Sequence, residues 1–331
     1  MNTVLVTGAA GFVGSHVCKR LHDDGWRVIA IDNMQKTYDP KVKVMRLLDL
    51  SSHCQSHPER FVFEQVSILR QTRVEELIAL YAVETVVHLA AVAGVRDSLE
   101  NPRLFIDTNV HGFQSILSSI RKLEVKMIYA SSSSVYGGVA GGQQDESLQC
   151  SQPKSLYAAT KLMNESQAYA HHVAYGGSFV GLRFFSVYGP WGRPDMVLWK
   201  WAEAIRVGKP ITVYNNGGMT RDWTYIDDVV EAIAMCLNPE QPDLVPQVYN
   251  VGGGEPILLN DAIMLIEDFY KTIAYREYEP MQRCDVIASD ADWGRLHEAT
   301  EWMPRVQFRT GLVKFLTWLE KHFQKEEESC S

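Results

Sequence analysis

Two segments of this sequence carry side chains that can move protons. Ser155-Leu156-Tyr157-Ala158-Ala159-Thr160-Lys161 reads as the start of a helix, which places Tyr157 and Lys161 on one face, a turn apart. A phenol with an ordinary pKa of about 10 is a poor base near neutrality until positive charge stabilises its phenolate, and Lys161 would supply part of that charge. Upstream, the run Lys126-Met127-Ile128-Tyr129-Ala130 ends in Ser131-Ser132-Ser133-Ser134-Val135-Tyr136-Gly137. Ser132 could hydrogen-bond a reacting hydroxyl and share in proton transfer. Taken alone, four serines are a polar turn and a Tyr-x-x-x-Lys pair is an exposed helix face.

A third segment changes that weighting. Thr3-Val4-Leu5-Val6-Thr7 runs straight into Gly8-Ala9-Ala10-Gly11-Phe12-Val13-Gly14, followed by a helical pattern. Glycines so spaced allow a tight turn and bring a pyrophosphate close to a helix N-terminus, whose free N–H groups and dipole favour anions. The next apolar run ends at Asp32, where a carboxylate can accept the ribose hydroxyls of an adenine dinucleotide. A 2′-phosphate beside Asp32 would be repelled, so NAD is expected rather than NADP. Asn33 could add a polar contact or simply serve the turn. With an oxidised nicotinamide in place, Tyr157, Lys161 and Ser132 become a catalytic set.

The elements that must position these groups are legible as an alternation. Short β-branched runs begin at Thr3, Arg27, Phe61, Thr85, Lys126 and Phe179, separated by helix-like segments. That rhythm implies an α/β fold with a parallel, doubly wound sheet of the Rossmann type. After Phe185, Gly/Pro-rich loops separate longer helical stretches, so a smaller mixed α/β substrate-binding lobe is expected. The run Gln247-Val248-Tyr249-Asn250-Val251 looks like a return to the sheet. The expected division is 1–185 plus about 224–254 for the cofactor half, about 186–223 and 255–325 for the second lobe, and 326–331 as a frayed polar tail.

Composition excludes several classes. The chain of 331 residues is 46% hydrophobic and 22% charged, ample for a sizeable core and without a disorder signature. A net charge of −8 without Lys/Arg clusters argues against a nucleic-acid or anionic-membrane partner. The six cysteines, Cys18, Cys54, Cys150, Cys236, Cys284 and Cys330, lie far apart, with no Cys/His spacing of a zinc site or disulfide framework. No metal is expected, and a reducing cytoplasm fits best. The first residues lack the pattern of a signal peptide, and no apolar run is long enough to span a membrane.

Longer segments carry a resemblance. TGAAGFVGSH, HLAAVAGVRDSLENP, SSSSVYG, SLYAATK, GLRFFSVYGPWGRPDM, RDWTYIDD and MQRCDV resemble the extended short-chain dehydrogenase/reductases, and among them the UDP-glucuronate 4-epimerases, along nearly the whole chain. The resemblance implies Tyr157 as general base, Lys161 as its partner and Ser132 as the catalytic hydroxyl. Leu89, Ala90 and Ala91 would line the cofactor, and Arg193, Arg221 and Asp285 would hold uridine diphosphate. The reaction implied is reversible C4 epimerisation of UDP-glucuronate to UDP-galacturonate through a transient 4-keto sugar and recycled NAD.

A 4-keto uronate is a β-keto acid, and hydroxyls at Ser132, Ser133, Ser134 and Ser186 could hold its carboxylate away from decarboxylation. Related decarboxylases and dehydratases carry an acid just before VYG, where this chain has Ser133 and Ser134. UDP-galactose/UDP-glucose 4-epimerisation, UDP-glucuronate decarboxylation and non-catalytic NAD binding are the alternatives. The sequence departs from the family at Ser67 (usually Asp), Val92 (usually Gln) and Asp97 (usually Tyr), and Ser186 replaces a threonine. The helices after Asp97 and Tyr157 resemble those through which the family forms homodimers.

Overall fold

The computed structural model describes residues 1–330 except 122, 124, 138–141 and 238–246, and only the backbone of 325–330. In chain order the strands are β1 (Thr3–Thr7), β2 (Arg27–Asp32), β3 (Phe61–Gln65), β4 (Thr85–His88), β5 (Lys126–Ser132), β6 (Ser178–Phe184), β7 (Ser186–Tyr188), β8 (Ile211–Tyr214), β9 (Thr220–Tyr225), β10 (Gln247–Val251), β11 (Pro256–Leu258) and β12 (Arg276–Glu279). Seven of them form one sheet in the order β10-β6-β5-β4-β1-β2-β3, and every pairing in it is parallel. The chain starts in the middle at β1, builds outward to β3, then crosses back to β4. Ligand crevices in such sheets open at that reversal, outside the carboxyl ends of the strands.

Apolar runs make these strands because both faces of the sheet are covered. Val4 and Val6 on β1 pack into one core with Val28, Ala30 and Val87, whereas Leu5 faces the opposite core with Ile29, Ile31 and Val86. Full burial of a side chain such as Leu5 contributes about 1.5–3 kcal/mol, and Leu5→Ala would cost about 2–5 kcal/mol. The first of the two cores does not stop at the sheet. It continues through Trp199 and Trp201 of the helix Val197–Arg206 and Phe315 and Leu319 of the helix Phe308–Cys330. The second lobe is therefore fused to the sheet by shared apolar packing.

That lobe carries a three-stranded sheet, β11-β9-β7, and a two-stranded one, β12-β8. Asp222 on β9 ties its loops together, its buried carboxylate accepting N–H groups of Gly253 at 2.6 Å, Ala291 at 2.9 Å and Gly254 at 3.2 Å. The Gln247 run is β10, beside β6. Within the stretch 224–254 expected to return to the sheet, residues 238–246 lie outside the described residues. At the C-terminus, where a polar tail is expected, the last helix continues to Cys330, as the helix-favouring Lys325-Glu326-Glu327-Glu328 run allows, and Ser331 lies outside the description. Among the described residues, no helix is long and apolar enough to cross a membrane.

Candidate active site

A cavity of about 840 Å³ opens at the carboxyl ends of β1, β2, β4 and β5 and runs under the second lobe. Its floor is the turn after β1. Gly8 takes φ +72°, and a Cβ there would come within 2.8 Å of the Ala90 nitrogen, so the turn can lie against the Leu89-Ala90-Ala91 segment only as glycine. A Cβ on Gly14 would collide with the Gly8 carbonyl oxygen. The helix Phe12–Asp23 then starts at Gly11 with no side chain capping it, and Gly11, Phe12, Val13 and Gly14 line the cavity. Such an open N-terminus favours a pyrophosphate.

Asp32 closes β2 at the far side of this turn. Its Oδ2 accepts the Ala10 N–H at 3.1 Å and its Oδ1 accepts the Met34 N–H at 2.7 Å, which fixes the carboxylate at the cavity wall. Lys43 Nζ lies 3.4 Å from Oδ1 and is also buried, a neighbour that sequence reading did not find. Asn33 lines the cavity and accepts the Gln35 N–H at 3.0 Å, so it serves its turn as well. Of the residues expected to hold the cofactor, only Ala10 is not at the wall: it is fully buried and supports Asp32 through its N–H. The residues present fit an adenine dinucleotide.

The proton-transfer groups stand across from this cradle. The helix Leu156–Tyr175 begins where Ser155 Oγ accepts the Ala158 N–H at 3.1 Å, and Tyr157 therefore sits in its first turn, facing the end of β5. Burial pushes the Tyr157 phenol above its ordinary pKa, while the neighbouring Ser132 hydroxyl and the charge of Arg193 pull it down. Lys161 Nζ donates to the Ala130 carbonyl at 2.9 Å and lies 5.9 Å from the Tyr157 ring centre. Burial lowers its pKa to about 8, against the opposing charge of Glu165. The charge pulling on the phenol is that of Arg193, which the sequence reading had assigned to substrate alone.

The four serines divide their roles. Ser132 Oγ accepts both the Ser134 N–H at 3.2 Å and the Ser134 hydroxyl at 2.8 Å. Ser131 donates to Glu165, whose carboxylate also takes a two-pronged bond from Arg183 at 2.9 and 2.8 Å, a buried brace behind the turn. Ser133, Ser134 and Ser186 all line the cavity. Among the described residues the hydroxyls of Ser133 and Ser186 have no hydrogen-bond partner, leaving them available to a ligand.

A positive wall completes the site. Arg193 donates to the Ala93 carbonyl at 2.8 Å and is paired with Asp195, and it lines the cavity together with Arg221 and Asp285. Sequence reading missed Arg96, which donates to Asp285 at 3.0 Å and stacks its guanidinium 4.3 Å from the Tyr214 ring centre. It also missed Arg46, fully buried, which bonds the carbonyls of Trp191 and Gly192 just before Arg193. Arg96 lay inside a segment already singled out, so its charge was a usable signal, whereas nothing local marks Arg46.

The departures fall in different places. Val92 is buried, its backbone N–H and carbonyl both held by the Asn109 side chain at 2.8 and 2.9 Å, and Asp97 lines the cavity beside Gly94. Ser67 does not reach the cavity, and its hydroxyl accepts the Leu69 N–H at 3.3 Å.

A buried tyrosine–lysine pair across from a glycine-rich turn, on a parallel sheet fused to a second lobe, is the arrangement of the extended short-chain dehydrogenase/reductases as a class. Within it, the chain belongs to the NAD dependent epimerase/dehydratase family, whose model matches residues 4–252. It is 38% identical to Protein CapI of Staphylococcus aureus, over 97% of this chain and 99% of that protein. It is 35% identical to the UDP-glucuronate 4-epimerase of Thermodesulfobacterium geofontis, over 98% of each. Its structure resembles that of the UDP-glucuronic acid 4-epimerase from Bacillus cereus solved with UDP-glucuronic acid and NAD, with a TM-score of 0.90 and 30% identity over 97% of this chain and 99% of that one.

Proposed function

We propose that this NAD-dependent enzyme interconverts UDP-glucuronate and UDP-galacturonate by inverting C4. The observation that carries the reading is the serine turn beside Tyr157: Ser132, bonded to Ser134, neighbours the phenol, while among the described residues Ser133 and Ser186 present unpaired hydroxyls to the same cavity. A uronate carboxylate accepts from such donors.

Gly8–Gly14 and Asp32 would hold NAD, which would supply the hydride acceptor and donor for sugar C4. Tyr157 takes the proton of the C4 hydroxyl and later returns it to the same oxygen, with Ser132 bridging the two. Lys161 holds the cofactor ribose and keeps the phenol in place. Arg96, Arg193 and Arg221 anchor the diphosphate while the keto sugar turns over, so the opposite face of C4 meets the cofactor. Ser133, Ser134 and Ser186 hold the carboxylate out of line with the C4 carbonyl, which suppresses loss of carbon dioxide. Ser133 and Ser134 stand just before Val135-Tyr136-Gly137, where decarboxylases and dehydratases carry an acid, so proton transfer at C5 lacks a group at that place.

In this reading residues 1–185 with about 224–254 bind the cofactor and about 186–223 with 255–325 bind the UDP-sugar. The protein works as a cytoplasmic homodimer through the helices after Asp97 and Tyr157, where Leu99, Met163, Tyr169 and Val173 are large apolar side chains left exposed. Sedimentation should give twice the chain mass.

Asp97 favours a second reading. Its carboxylate in the cavity opposes an anionic sugar, and a UDP-hexose would be spared that repulsion. Incubation with UDP-glucuronate and with UDP-glucose, resolving the nucleotide sugars while trapping carbon dioxide, separates the possibilities. UDP-galacturonate without carbon dioxide supports the main reading. Turnover of UDP-glucose alone selects the second, and a UDP-pentose with carbon dioxide overturns both.

A further inference from the structure

On the side of the cofactor half away from the cavity, the last turns of two helices, Phe12–Asp23 and Pro40–His53, converge. His22 ends the apolar face of the first helix and is only 1% exposed. One ring nitrogen, Nε2, lies 3.1 Å from the His57 carbonyl oxygen. A carbonyl can only accept, so Nε2 carries the hydrogen, and in the neutral ring Nδ1 then presents a lone pair. That Nδ1 is buried and has no hydrogen-bond partner among the described residues. It points at Asp23, whose Oδ1 is 3.9 Å away. The same Oδ1 lies 2.8 Å from His53 Nε2.

We propose that His22, Asp23 and His53 bind a divalent transition-metal ion of the zinc class. The three donor atoms all lie within 4.8 Å of one another. A tetrahedral ion with bonds of about 2.0–2.1 Å separates its ligands by about 3.3–3.4 Å, and the 2.8 and 3.9 Å separations involving Asp23 bracket that value. Small side-chain rotations of the exposed Asp23 and His53 therefore complete the geometry without moving the buried His22. Two imidazoles and one carboxylate select zinc, cobalt or nickel over magnesium and calcium, which take all-oxygen shells. The fourth position faces solvent, since the Asp23 and His53 side chains are 55% and 36% exposed, and a water fills it.

The His57 carbonyl plays the part usual for a metal-bound imidazole, fixing the tautomer and the ring through the distal N–H. The ion would fasten the end of the helix that starts at the glycine turn to the end of the helix that carries Lys43 and Arg46. This proposal is independent of the sugar assigned to the active site.

The test uses the full-length, NAD-loaded protein stripped with EDTA and titrated with zinc chloride by calorimetry, with cobalt(II) as an optical probe. One equivalent per chain should bind and raise the melting temperature, and magnesium should do neither. Asp23→Asn and His53→Ala, both at exposed positions, should each weaken zinc binding at least about tenfold and remove the rise in melting temperature, with NAD affinity unchanged. Absence of stoichiometric binding overturns the proposal. So does unchanged affinity in both variants, or a thiolate-to-cobalt charge-transfer band, which would assign the ion to cysteine.

Discussion

Arg46 Nε donates to the carbonyl oxygen of Trp191 at 2.9 Å, across 145 residues of sequence. Trp191 holds a left-handed backbone conformation, φ +61°, two residues before Arg193. Its indole packs on Trp318 and His322 of the last helix, so the loop is gripped from both sides. Arg46 also bonds the Gly192 carbonyl at 2.8 Å and is itself fully buried, which makes it the residue that aims Arg193 into the cavity.

Replacing Arg46 by Met should leave the buried Gly192 carbonyl and the half-buried Trp191 carbonyl without this donor, at about 1–3 kcal/mol for the buried one. Misplacement of Arg193 should lower kcat/KM for the UDP-sugar about 10²-fold. Steady-state kinetics beside a thermal melt checks both, and a variant with unaltered kcat/KM would show that Arg193 needs no such support.

Tyr157→Phe removes the proton acceptor but keeps the ring that packs edge-on against Phe105. Turnover should fall about 10²–10⁴-fold while NAD affinity stays within a few-fold. Retained turnover would remove Tyr157 as the base.

Lys161 gives a pH signature with two opposite signs. Its folded pKa of about 8, set first by burial, lies below the unfolded value of 10.5. Between those values the unfolded chain binds more protons, so this group makes the cofactor-free protein more stable as pH rises through that window. NAD affinity should move the other way, falling above about pH 8 as the ammonium loses its charge. Lys161→Met, measured by melting and by NAD titration across the same range, should flatten both trends.

Asp32 and Lys43 predict cofactor choice. Asp32→Ser deletes a charge-assisted acceptor for the ribose hydroxyls and should weaken NAD about 10–100-fold, from about 1.5–3 kcal/mol for such a bond. It also leaves Lys43 without its carboxylate, so NADP should bind better than it does to the parent protein. Fluorescence titration with both dinucleotides decides, and an unchanged NADP affinity would mean that Lys43 does not reach the 2′ position.

Much of this molecule is written locally. The strand-turn-helix at Thr3–Asp23, the acid ending β2, and Tyr157 and Lys161 one turn apart each depend on spacings of a few residues, because hydrogen-bond geometry and side-chain direction repeat with fixed periods of 2 and 3.6. The apolar runs likewise declared a sheet buried on both faces. What no local period encodes is which distant side chains meet. Arg96 finds Asp285 across 189 residues, and Arg46 reaches the Trp191 loop, only because the second lobe shares a core with the sheet. His22 and Asp23 stand about 30 residues from His53, so no short motif marks them, and they come together because two helices end at the same place. Sequence by itself marked the glycine turn, Asp32, Tyr157 and Lys161 as one candidate site; packing at long range decided what surrounds them, since contact between distant residues follows from burying a common apolar surface rather than from any repeat along the chain.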